Sequence, residues 1–455
     1  MPEKTIIIIG AGIAGLAAGC YAQLNGYKSK IFEMHHLPGG LCTAWERKGY
    51  ILDGCIHYLF GSAQGQPFYD LWEELGAVQG REMINHTEYQ RISDGEKTLI
   101  VYTDPDQLEA HMKELSPADS RLIEQFCAGV RQFRRFDMSA MYKTPQPLMN
   151  AMDWQRYGSA MMPFFIPMLR WGMISAAEFA QKFKDPFLHK AIAHMFSWEE
   201  APVMLGMTLL AYMHNQNAAF TAGGSLAFAR AVEKRYLDLG GEIFYRSQVE
   251  KILTKNGQAI GVRLYNDEVH TADYVISAAD GYGTIFDMLG GEFVDRSVRR
   301  MYDGHLKMHS QVQISLGVNR DLSAESHWVT HLLDEPILIA GEEHREVGIK
   351  HYCFDPSLSP AGKSVLEVMI RANYAYWQRI YGRKLYDTEQ TQVSGIVIDL
   401  LERWYPGIRS DIELIDEATP LSYERYTGNW KGSTCGFLMT KETMLMMIRG
   451  VRKTL

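Results

Sequence analysis

The chain has 455 residues, of which 46% are hydrophobic and 22% are charged, and this length allows a large core with more than one domain. The formal net charge of -8 and the isoelectric point near 6.0 disfavour nucleic acid as a general partner, because phosphate binding requires clustered positive charge. The six cysteines include no C-x-x-C pair, which favours reduced thiols in a cytosol over a disulfide framework or a zinc site.

The first predicted element is a strand over 5–9, where "TIIII" is a β-branched run typical of a strand buried on both faces. The sequence "GAGIAGLAAG" follows at once. Apolar residues at helical spacing extend over 13–25, and "KSKIFE" over 28–33 reads as the next strand. This β–α–β context is the one in which a G-x-G-x-x-G pattern binds the pyrophosphate of a dinucleotide.

Each residue of the glycine pattern has a separate physical role in such a site. Gly10 allows the tight turn, Gly12 lets the backbone approach the pyrophosphate, and Gly15 lets the helix pack against the strand. The phosphates then lie on the N–H groups of the helix N-terminus. Glu33 ends the second strand, where its carboxylate can bind the ribose hydroxyls and would repel the 2′-phosphate of NADP. The sequence therefore predicts an ADP-containing dinucleotide.

The stretch "LPGGLCTAW" over 37–45 favours FAD over NAD, because a Gly-Gly pair brings the backbone close to a second part of an extended cofactor. No second G-x-G-x-x-G follows a strand downstream, so one bound flavin is the simpler interpretation. The next segment, "DGCIHYLFG" over 53–61, should run along the cofactor. We expect its His57 or Tyr58 to lie beside the flavin ring or to line the substrate cavity, which makes them the catalytic candidates.

The methionine-rich stretch "SAMMPFFIPMLRWGMIS" over 159–175 carries a single charge, at Arg170. Two interpretations are open: an internal helix pair of the core, or a surface in peripheral contact with a membrane. The chain shows neither a signal peptide nor the roughly 20 consecutive apolar residues of a spanning helix. We therefore expect a cytoplasmic protein with peripheral membrane contact as an option.

The segment over 221–280 is predicted to return the chain to the nucleotide domain. An amphipathic helix over 225–239 ends at a Gly-Gly pair, and "EIFY" follows as a strand. Alternating strands separated by Asn256-Gly257 and Asn266-Asp267 then predict a hairpin or meander. No H-E-x-x-H, no G-x-S-x-G and no acidic pair at useful spacing is present, so we expect neither metal nor hydrolytic catalysis.

Four blocks resemble the phytoene desaturase, carotenoid isomerase and retinol saturase family of the flavin amine-oxidase clan. They are "IIIIGAGIAGLAAGCYAQLNGYKSKIFE", "PGGLCTAWERKGYILDGCIHYLFG", "TAGGSLAFARAVEKRYLDLGGEIFYRSQVEKI" with "ADYVISAAD", and "TPLSYERYTGNWKGSTCG". The resemblance implies an α/β fold in which a Rossmann-like FAD-binding domain is interleaved with an α+β substrate domain. It also implies non-covalent FAD and hydride chemistry at carbon–carbon bonds of a long apolar substrate, often a polyene.

The glycine loop and the resemblance together give the expected site residues. For the cofactor they are Gly10, Gly12, Ile13, Ala14, Gly15, Glu33, Met34, Gly39, Gly40, Leu41, Val249 and Ala279, with Gly39 and Gly40 at the ribityl chain and Val249 at the adenine. For the substrate they are Trp198, which stands beside an apolar stretch in "SWEEAP", and Arg425 and Tyr426 of the fourth block.

The predicted domains alternate along the chain. The FAD-binding domain is expected over 1–105, 216–285 and 396–455, and the substrate domain over 106–215 and 286–395. The chain departs from the family at Leu41, where many relatives have arginine, and we expect the family's final glycine-rich segment to be absent from 396–455.

Three functions stay open at this stage. The favoured one is an FAD-dependent oxidoreductase that desaturates or saturates carbon–carbon bonds, with the electron donor or acceptor unknown. A double-bond isomerase without net redox change is the second. A non-catalytic isoprenoid- or lipid-binding protein of the same fold is the third.

Overall fold

The computed structural model describes residues 4–139, 144, 148–196 and 198–448. Residues 449–455, which include the sequence "GVRKTL", lie outside this part of the chain, and they belong to the segment 396–455 in which we expect no final glycine-rich segment. Ser197 of "SWEEAP" also lies outside it.

The strands, in chain order, are β1 (Thr5–Ile9), β2 (Lys28–Phe32), β3 (Ala44–Arg47), β4 (Tyr50–Asp53), β5 (Leu59–Phe60), β6 (Met83–Ile84), β7 (Glu88–Ser93), β8 (Thr98–Tyr102), β9 (Ala218–Thr221), β10 (Glu242–Phe244), β11 (Val249–Lys255), β12 (Gln258–Leu264), β13 (Val269–Thr271), β14 (Tyr274–Ser277), β15 (Gln311–Val318), β16 (Trp328–Ile339), β17 (Glu342–His351), β18 (Ser364–Arg371) and β19 (Ile412–Ala418).

The α-helices are α1 (Ile13–Leu24), α2 (Pro67–Glu74), α3 (Pro105–Leu115), α4 (Ser120–Phe133), α5 (Ala151–Met161), α6 (Phe165–Gly172), α7 (Ala176–Ala180), α8 (Pro186–Ala193), α9 (Val203–His214), α10 (Gly224–Asp238), α11 (Arg296–Arg300), α12 (Tyr374–Gly382), α13 (Tyr386–Trp404), α14 (Ile408–Asp411), α15 (Pro420–Thr427) and α16 (Lys441–Ile448). Short 3₁₀ or π turns cover Pro117–Asp119, Met162–Phe164, Gly283–Met288, Met301–His305, Pro356–Leu358 and Trp430–Gly432.

A parallel sheet of order β10-β2-β1-β14 forms the nucleotide-binding end of the molecule. Its central strand β1 is buried on both faces, as the isoleucine run predicted. Helix α1 begins at Ile13 and strand β2 ends at Phe32, so the predicted strand–helix–strand unit is confirmed. The predicted helix after the second glycine pair is α10, and β11, β12 and β13 form the predicted meander.

Gly15 sets how closely α1 approaches the strand that precedes it. A Cβ atom at this position would lie 1.9 Å from the carbonyl oxygen of Gly10 and 3.2 Å from the Cβ of Ala278. Because the first contact is with backbone, a neighbouring side chain cannot relieve it by rotating. The close packing therefore places the N-terminus of the helix directly above the end of β1.

The second large sheet is mixed and has the order β19-β15-β18-β17-β16-β7-β8. Its strands β7 and β8 come from the predicted first part of the chain, and β19 comes from the predicted last part. The domain boundaries remain predictions, but strands from three of the predicted parts share this sheet. Helices α12 and α13 pack on its apolar residues, while α4, α8 and α9 belong to a separate helical core.

The stretch over 159–175 forms the end of α5, a short turn and α6, and most of it is not internal. Phe164 and Trp171 are buried in the helical core, whereas Met162 and Ile166 are each 75% exposed and Phe165 is 63% exposed. Of the two interpretations left open above, the structure does not bear out a buried helix pair. Within the described ranges, we find no helix with the length and hydropathy needed to cross a bilayer.

We expect the substitution Gly15→Ala to lower the free energy of unfolding by about 1–3 kcal/mol, because the added methyl group overlaps the Gly10 carbonyl. Gly158→Ala is the matched control: nothing lies within 4 Å of the methyl group that it adds to α5, and alanine is favoured in helices. Denaturant titration followed by circular dichroism measures both. Equal stability of the two variants would contradict the packing described here.

Candidate flavin and substrate site

The glycine loop after β1 leaves an open cradle at the N-terminus of α1. Gly10 has a φ of +94°, and a Cβ atom on Gly12 would meet nothing closer than the Gly39 carbonyl oxygen at 3.9 Å. No side chain caps the helix, and no acidic residue stands in its first turn, which includes Ile13 and Ala14. Free N–H groups at a helix N-terminus attract phosphate, so the cradle fits a pyrophosphate.

Glu33 lies at the end of β2 with its carboxylate directed back to the loop. One oxygen accepts a hydrogen bond from the Ala11 N–H at 2.7 Å, and the other accepts from the His35 N–H at 2.8 Å. Burial raises the pKa of this carboxyl, whereas the backbone hydrogen bonds oppose that rise. A buried carboxylate beside the glycine loop is suited to bind ribose hydroxyls, and the fit to an ADP-type group is therefore good on both sides of the cradle.

The second glycine pair packs directly on the first loop. The Gly39 N–H donates to the Ala11 carbonyl at 2.8 Å, and Gly39 also pairs with Gly12 as an isolated bridge. Gly39 and Gly40 both have positive φ, at 105° and 61°, and a Cβ atom on Gly40 would lie 3.5 Å from the Gly12 Cα. Both positions thus need glycine for their conformation. Leu41 follows, and its carbonyl accepts from the Thr43 N–H.

From this turn the chain runs towards the interior, where the buried carboxylate of Asp53 fixes its course. Its oxygens accept hydrogen bonds from the Ser225 N–H, from the Ser225 hydroxyl at 2.7 Å and from the Cys55 N–H at 3.1 Å. The Ser225 hydroxyl oxygen in turn accepts from the Ile56 N–H at 2.8 Å. Asp53 is 1% exposed, and burial raises its pKa against these hydrogen bonds. The result is a fixed path for residues 53–57.

That path ends at a small cavity of about 20 Å³, which has room for about one water molecule. Aromatic and apolar groups form most of its wall, and the polar groups in it are three imidazoles and one lysine. The lining residues are His57, Tyr58, His86, Tyr89, Met213, Phe220, His327, Trp328, Lys350, Tyr352 and Phe354. Both catalytic candidates predicted from the sequence therefore face one cavity, and their chemical roles remain predictions.

His57 and Tyr58 are held in their neutral forms in this wall. Burial lowers the pKa of His57 well below its ordinary value, and the nearby Lys350 charge adds to that effect. Burial raises the pKa of Tyr58 to about 12. The His57 Nδ1 atom is buried and has no hydrogen-bond partner in the part of the chain that the structure describes. This nitrogen is therefore a free acceptor, and the lowered pKa keeps the imidazole neutral near pH 7.

Lys350 and Glu367 did not stand out in the sequence. They lie directly opposite each other on β17 and β18, and they are 6% and 1% exposed. Burial lowers the pKa of Lys350 to about 7 and raises the pKa of Glu367 to about 8. Tyr352 donates to Glu367 at 3.3 Å. The sequence signal is a lone lysine in the apolar alternation "EVGIKHY", which needs a known strand register to be interpreted.

Two stacked imidazoles complete the polar side of the cavity. The rings of His86 and His327 lie 3.7 Å apart at an interplanar angle of 8°. Burial lowers the pKa of His86 to about 4 and that of His327 well below its ordinary value. Face-to-face contact at this distance is compatible with neutral rings. No group of metal ligands is found in the part of the chain that the structure describes.

The predicted substrate residues outside the His57 segment do not line this cavity. Trp198 donates through Nε1 to the Met439 carbonyl at 2.9 Å. Arg425 stacks over the ring of Tyr426 at 5.4 Å, and Tyr426 is 49% exposed with its edge on the His35 ring. Arg425 and Tyr426 therefore lie near the end of β2, on the nucleotide side of the molecule. Its contact with substrate remains a prediction that this geometry does not support.

The remaining predicted cofactor residues surround the ends of β1 and β2. Val249 is buried with Phe32 in the core beneath the sheet. The Ala279 backbone nitrogen lies 3.6 Å from the position that a Cβ atom on Gly10 would take. Met34 follows Glu33, and its sulfur lies 3.4 Å from the corresponding position at Gly428. These residues share one neighbourhood, and their contact with a cofactor remains a prediction.

Comparison with known proteins agrees with this arrangement. A family model described as an NAD(P)-binding Rossmann-like domain matches residues 8–75. The chain is 23% identical over 454 residues to a chloroplastic prolycopene isomerase of Daucus carota, which covers 95% of this chain and 71% of the relative. It is 24% identical over 450 residues to a lycopene-forming phytoene desaturase of Pseudescherichia vulneris, with coverage of 92% and 86%. It is 21% identical over 470 residues to an all-trans-retinol 13,14-reductase of Danio rerio, with coverage of 94% and 77%.

Solved structures show the same fold. An oxidoreductase from Methanosarcina mazei aligns with a TM-score of 0.58 at 17% identity, covering 91% of this chain and 88% of that one. A putrescine oxidase variant with redesigned cofactor binding aligns with a TM-score of 0.59 at 13% identity, covering 94% and 87%. The expected architecture, an α/β fold with a Rossmann-like domain of the amine-oxidase type, is confirmed, and a Rab GDI from Plasmodium falciparum shares the fold.

The buried histidines predict how stability depends on pH. The pKa of His86, His309, His331 and His351 is lowered to about 4 by burial, whereas histidines of the unfolded chain titrate near 6.5. Between these values the unfolded state binds protons that the folded state does not. The free energy of unfolding therefore falls as pH drops from about 6.5 to 4, by about 1.4 kcal/mol per pH unit for each histidine. Glu367 acts in the opposite direction: its pKa is raised to about 8, so between about pH 8 and 4.5 the folded state binds one proton more at this residue than the unfolded state does.

The substitution His86→Phe keeps a ring against His327 and removes one of these titrating groups. We expect the free energy of unfolding of the variant to fall less steeply with decreasing pH between about pH 6 and 4.5. The slope should be smaller by about 1.4 kcal/mol per pH unit, the contribution of one proton. Urea titrations at several pH values measure the slopes for both proteins. Parallel curves for wild type and variant would show that His86 titrates normally in the folded state.

Proposed function

Because the chain is a homologue of prolycopene isomerases, phytoene desaturases and retinol reductases, we propose that it is an FAD-dependent oxidoreductase acting on carbon–carbon bonds of a long apolar substrate of polyene or isoprenoid type. One observation carries the proposal. The glycine loop is bonded to the Gly39–Gly40 turn, and the same segment then runs through Asp53 to the cavity lined by His57 and Tyr58. A dinucleotide cradle and an apolar chamber with neutral acid–base groups are thereby joined by one short stretch of chain.

The protein's own groups have definable parts in this chemistry. When bound, flavin supplies a hydride acceptor or donor. The glycine loop and Glu33 hold the nucleotide end, and the Asp53–Ser225 contact fixes the approach to the cavity. The His57 Nδ1 atom can take the proton lost in a desaturation or return it in a saturation. Tyr58, which stays protonated, can donate a hydrogen bond, and the aromatic walls exclude water.

Two alternatives share the same fold. An isomerase would shift a double bond without net redox change, and one relative has the name of a prolycopene isomerase. A non-catalytic lipid-binding protein would have no need of the open cradle at Gly12 or of the buried Glu33 carboxylate beside it. These two features favour the enzyme interpretations over simple lipid binding.

We expect the purified protein to bind FAD, and the substitution Gly12→Val to abolish that binding, because the side chain fills the cradle that the pyrophosphate needs. Gly395→Ala, in α13 with nothing within 4 Å of the added methyl group, is the control. Flavin absorbance retained after gel filtration is the measurement. Wild-type protein that stays colourless after incubation with FAD would rule out both the redox and the isomerase functions.

The reaction itself is distinguished by the mass of the product. Anaerobic incubation of the FAD-loaded enzyme with apolar polyenes and a quinone acceptor should give a product lighter by two hydrogens, and the reduced enzyme should give one heavier by two. A product of unchanged mass with a shifted double bond would instead establish the isomerase. No change in any polyene offered, with FAD firmly bound, would contradict the proposed substrate class.

We also propose that the exposed part of α5 and α6 contacts a membrane surface, from which an apolar substrate could be taken up. The apolar surface patch consists of Leu148, Met152, Trp154, Met162, Phe165, Ile166, Leu169 and Met173, each between 44% and 75% exposed. Exposed apolar side chains concentrated in one stretch of chain are typical of an interaction site. Phe164 and Trp171 hold it to the helical core, and Arg170, which stacks on Trp171, adds a positive charge near it.

The double substitution Phe165→Ser and Ile166→Ser should lower binding to phosphatidylcholine vesicles at least about tenfold, because each side chain contributes apolar area to the contact. Vesicle flotation measures the bound fraction. Leu237→Ser with Tyr265→Ser is the matched control, since both residues are exposed apolar groups elsewhere on the surface. Equal flotation of the two double variants would place the contact elsewhere.

A further inference from the structure

Lys350 is a strongly polar group in the cavity wall that a hydrocarbon substrate would not need. Its side chain is 6% exposed and lines the cavity. Glu367 stands directly opposite on the next strand. Burial lowers the pKa of Lys350 and the charges of Glu367 and Asp53 oppose this, but neither carboxylate forms an ion pair with its ammonium in the described part of the chain. The ammonium instead lies 4.5 Å from the centre of the Trp328 ring. A lysine with a purely structural role would be expected to pair with the available carboxylate.

The surroundings of Lys350 suit an oxygen atom. The cavity has room for about one water molecule, which is also the size of a single hydroxyl or carbonyl oxygen. Three imidazoles, of His57, His86 and His327, line the same space, and burial keeps them neutral by lowering the pKa of each. An oxygen there can accept a hydrogen bond from Lys350, and a hydroxyl hydrogen can be donated to a neutral imidazole nitrogen.

The rest of the cavity wall is apolar, and its volume admits no more than the tip of a longer ligand. Tyr58, Met213, Phe220, Trp328 and Phe354 surround the polar groups with aromatic and thioether surface. A hydrocarbon end sealed into this space would leave Lys350 without an acceptor and without water. A site built to hydrogen-bond an oxygen rejects the analogue that lacks it, because its own buried polar groups are then unpaired.

We propose that Lys350 anchors an oxygen-bearing end group of the substrate in this cavity, so that long apolar alcohols, aldehydes or acids are preferred to pure hydrocarbons. This inference rests on the proposed function, because it takes the cavity to be part of the substrate site. It deepens that function by naming the chemical class of the substrate and the residue that selects it.

The test is a binding measurement with three ligands of equal chain length. All-trans-retinol, all-trans-retinoic acid and the matching hydrocarbon, in which a methyl group replaces CH₂OH, are equilibrated with the purified protein, with and without added FAD, and quantified after rapid ultrafiltration. We expect wild type to bind the alcohol or the acid at least about tenfold more tightly than the hydrocarbon, as for a hydrogen bond to a charged group. Equal binding of all three would overturn the proposal and leave the cavity as a site for ordered water.

The substitution Lys350→Met keeps most of the apolar stem and removes the ammonium. It should reduce the affinity for the oxygenated ligands to that for the hydrocarbon, with hydrocarbon binding unchanged. Lys234→Met, at an exposed lysine paired with Asp238 on α10, is the control and should retain the preference. A Lys350→Met protein that keeps the wild-type ratio overturns the proposal. The comparison of oxygenated ligands with the hydrocarbon is made on the wild-type protein alone, so the proposal can be tested even if Lys350→Met folds poorly.

Failure of this inference and failure of the proposed function give different results. A protein that binds and converts hydrocarbons with FAD, without preference for an oxygen group, retains the proposed function and loses the role of Lys350. A protein that binds the alcohol through Lys350 but never retains flavin loses the proposed function and keeps the anchoring site.

Discussion

The contact between Asp53 and Ser225 is the constraint on which the site depends. It joins the segment that follows β4 to the N-terminus of α10, two parts of the chain that are 172 residues apart in sequence. A carboxylate at a helix N-terminus is favoured by the helix dipole, and here it also accepts a hydrogen bond from the Ser225 N–H in the first turn of the helix. Gly224 has a φ of +74°, and a Cβ atom there would lie 2.4 Å from an Asp53 oxygen, so the contact requires glycine at this position.

From this contact the geometry of the cavity follows in two directions. The Ser225 hydroxyl fixes Ile56, and thereby sets where His57 and Tyr58 begin. On the other side, the Asp53 carbonyl accepts from the Gln313 side-chain amide at 2.9 Å, which ties the segment to the seven-stranded sheet that also carries Lys350. Helix α10 and the seven-stranded sheet are therefore both tied to Asp53, the first through its carboxylate and the second through its backbone carbonyl.

Sequence reasoning succeeded where the information was local. The strand at 5–9, the helix from Ile13 and the strand ending before Glu33 follow from periodicity and glycine spacing within about thirty residues. The pairing of Lys350 with Glu367 across β17 and β18 could not be predicted in this way, because it depends on the register of two strands separated by a long turn. Fold and cofactor type were predictable, and the polar groups of the cavity were found only in three dimensions.

The hydrogen-bond chain behind Asp53 has a fixed direction. The Gln311 amide donates to the Tyr423 hydroxyl, Tyr423 donates to the Gln313 side-chain oxygen, and the Gln313 amide donates to the Asp53 carbonyl. Because each end of the chain is an amide group, which does not release its hydrogen near neutral pH, this chain cannot work as a proton wire. This chain therefore fixes the Asp53 backbone, and with it the segment before His57, without delivering a proton to it.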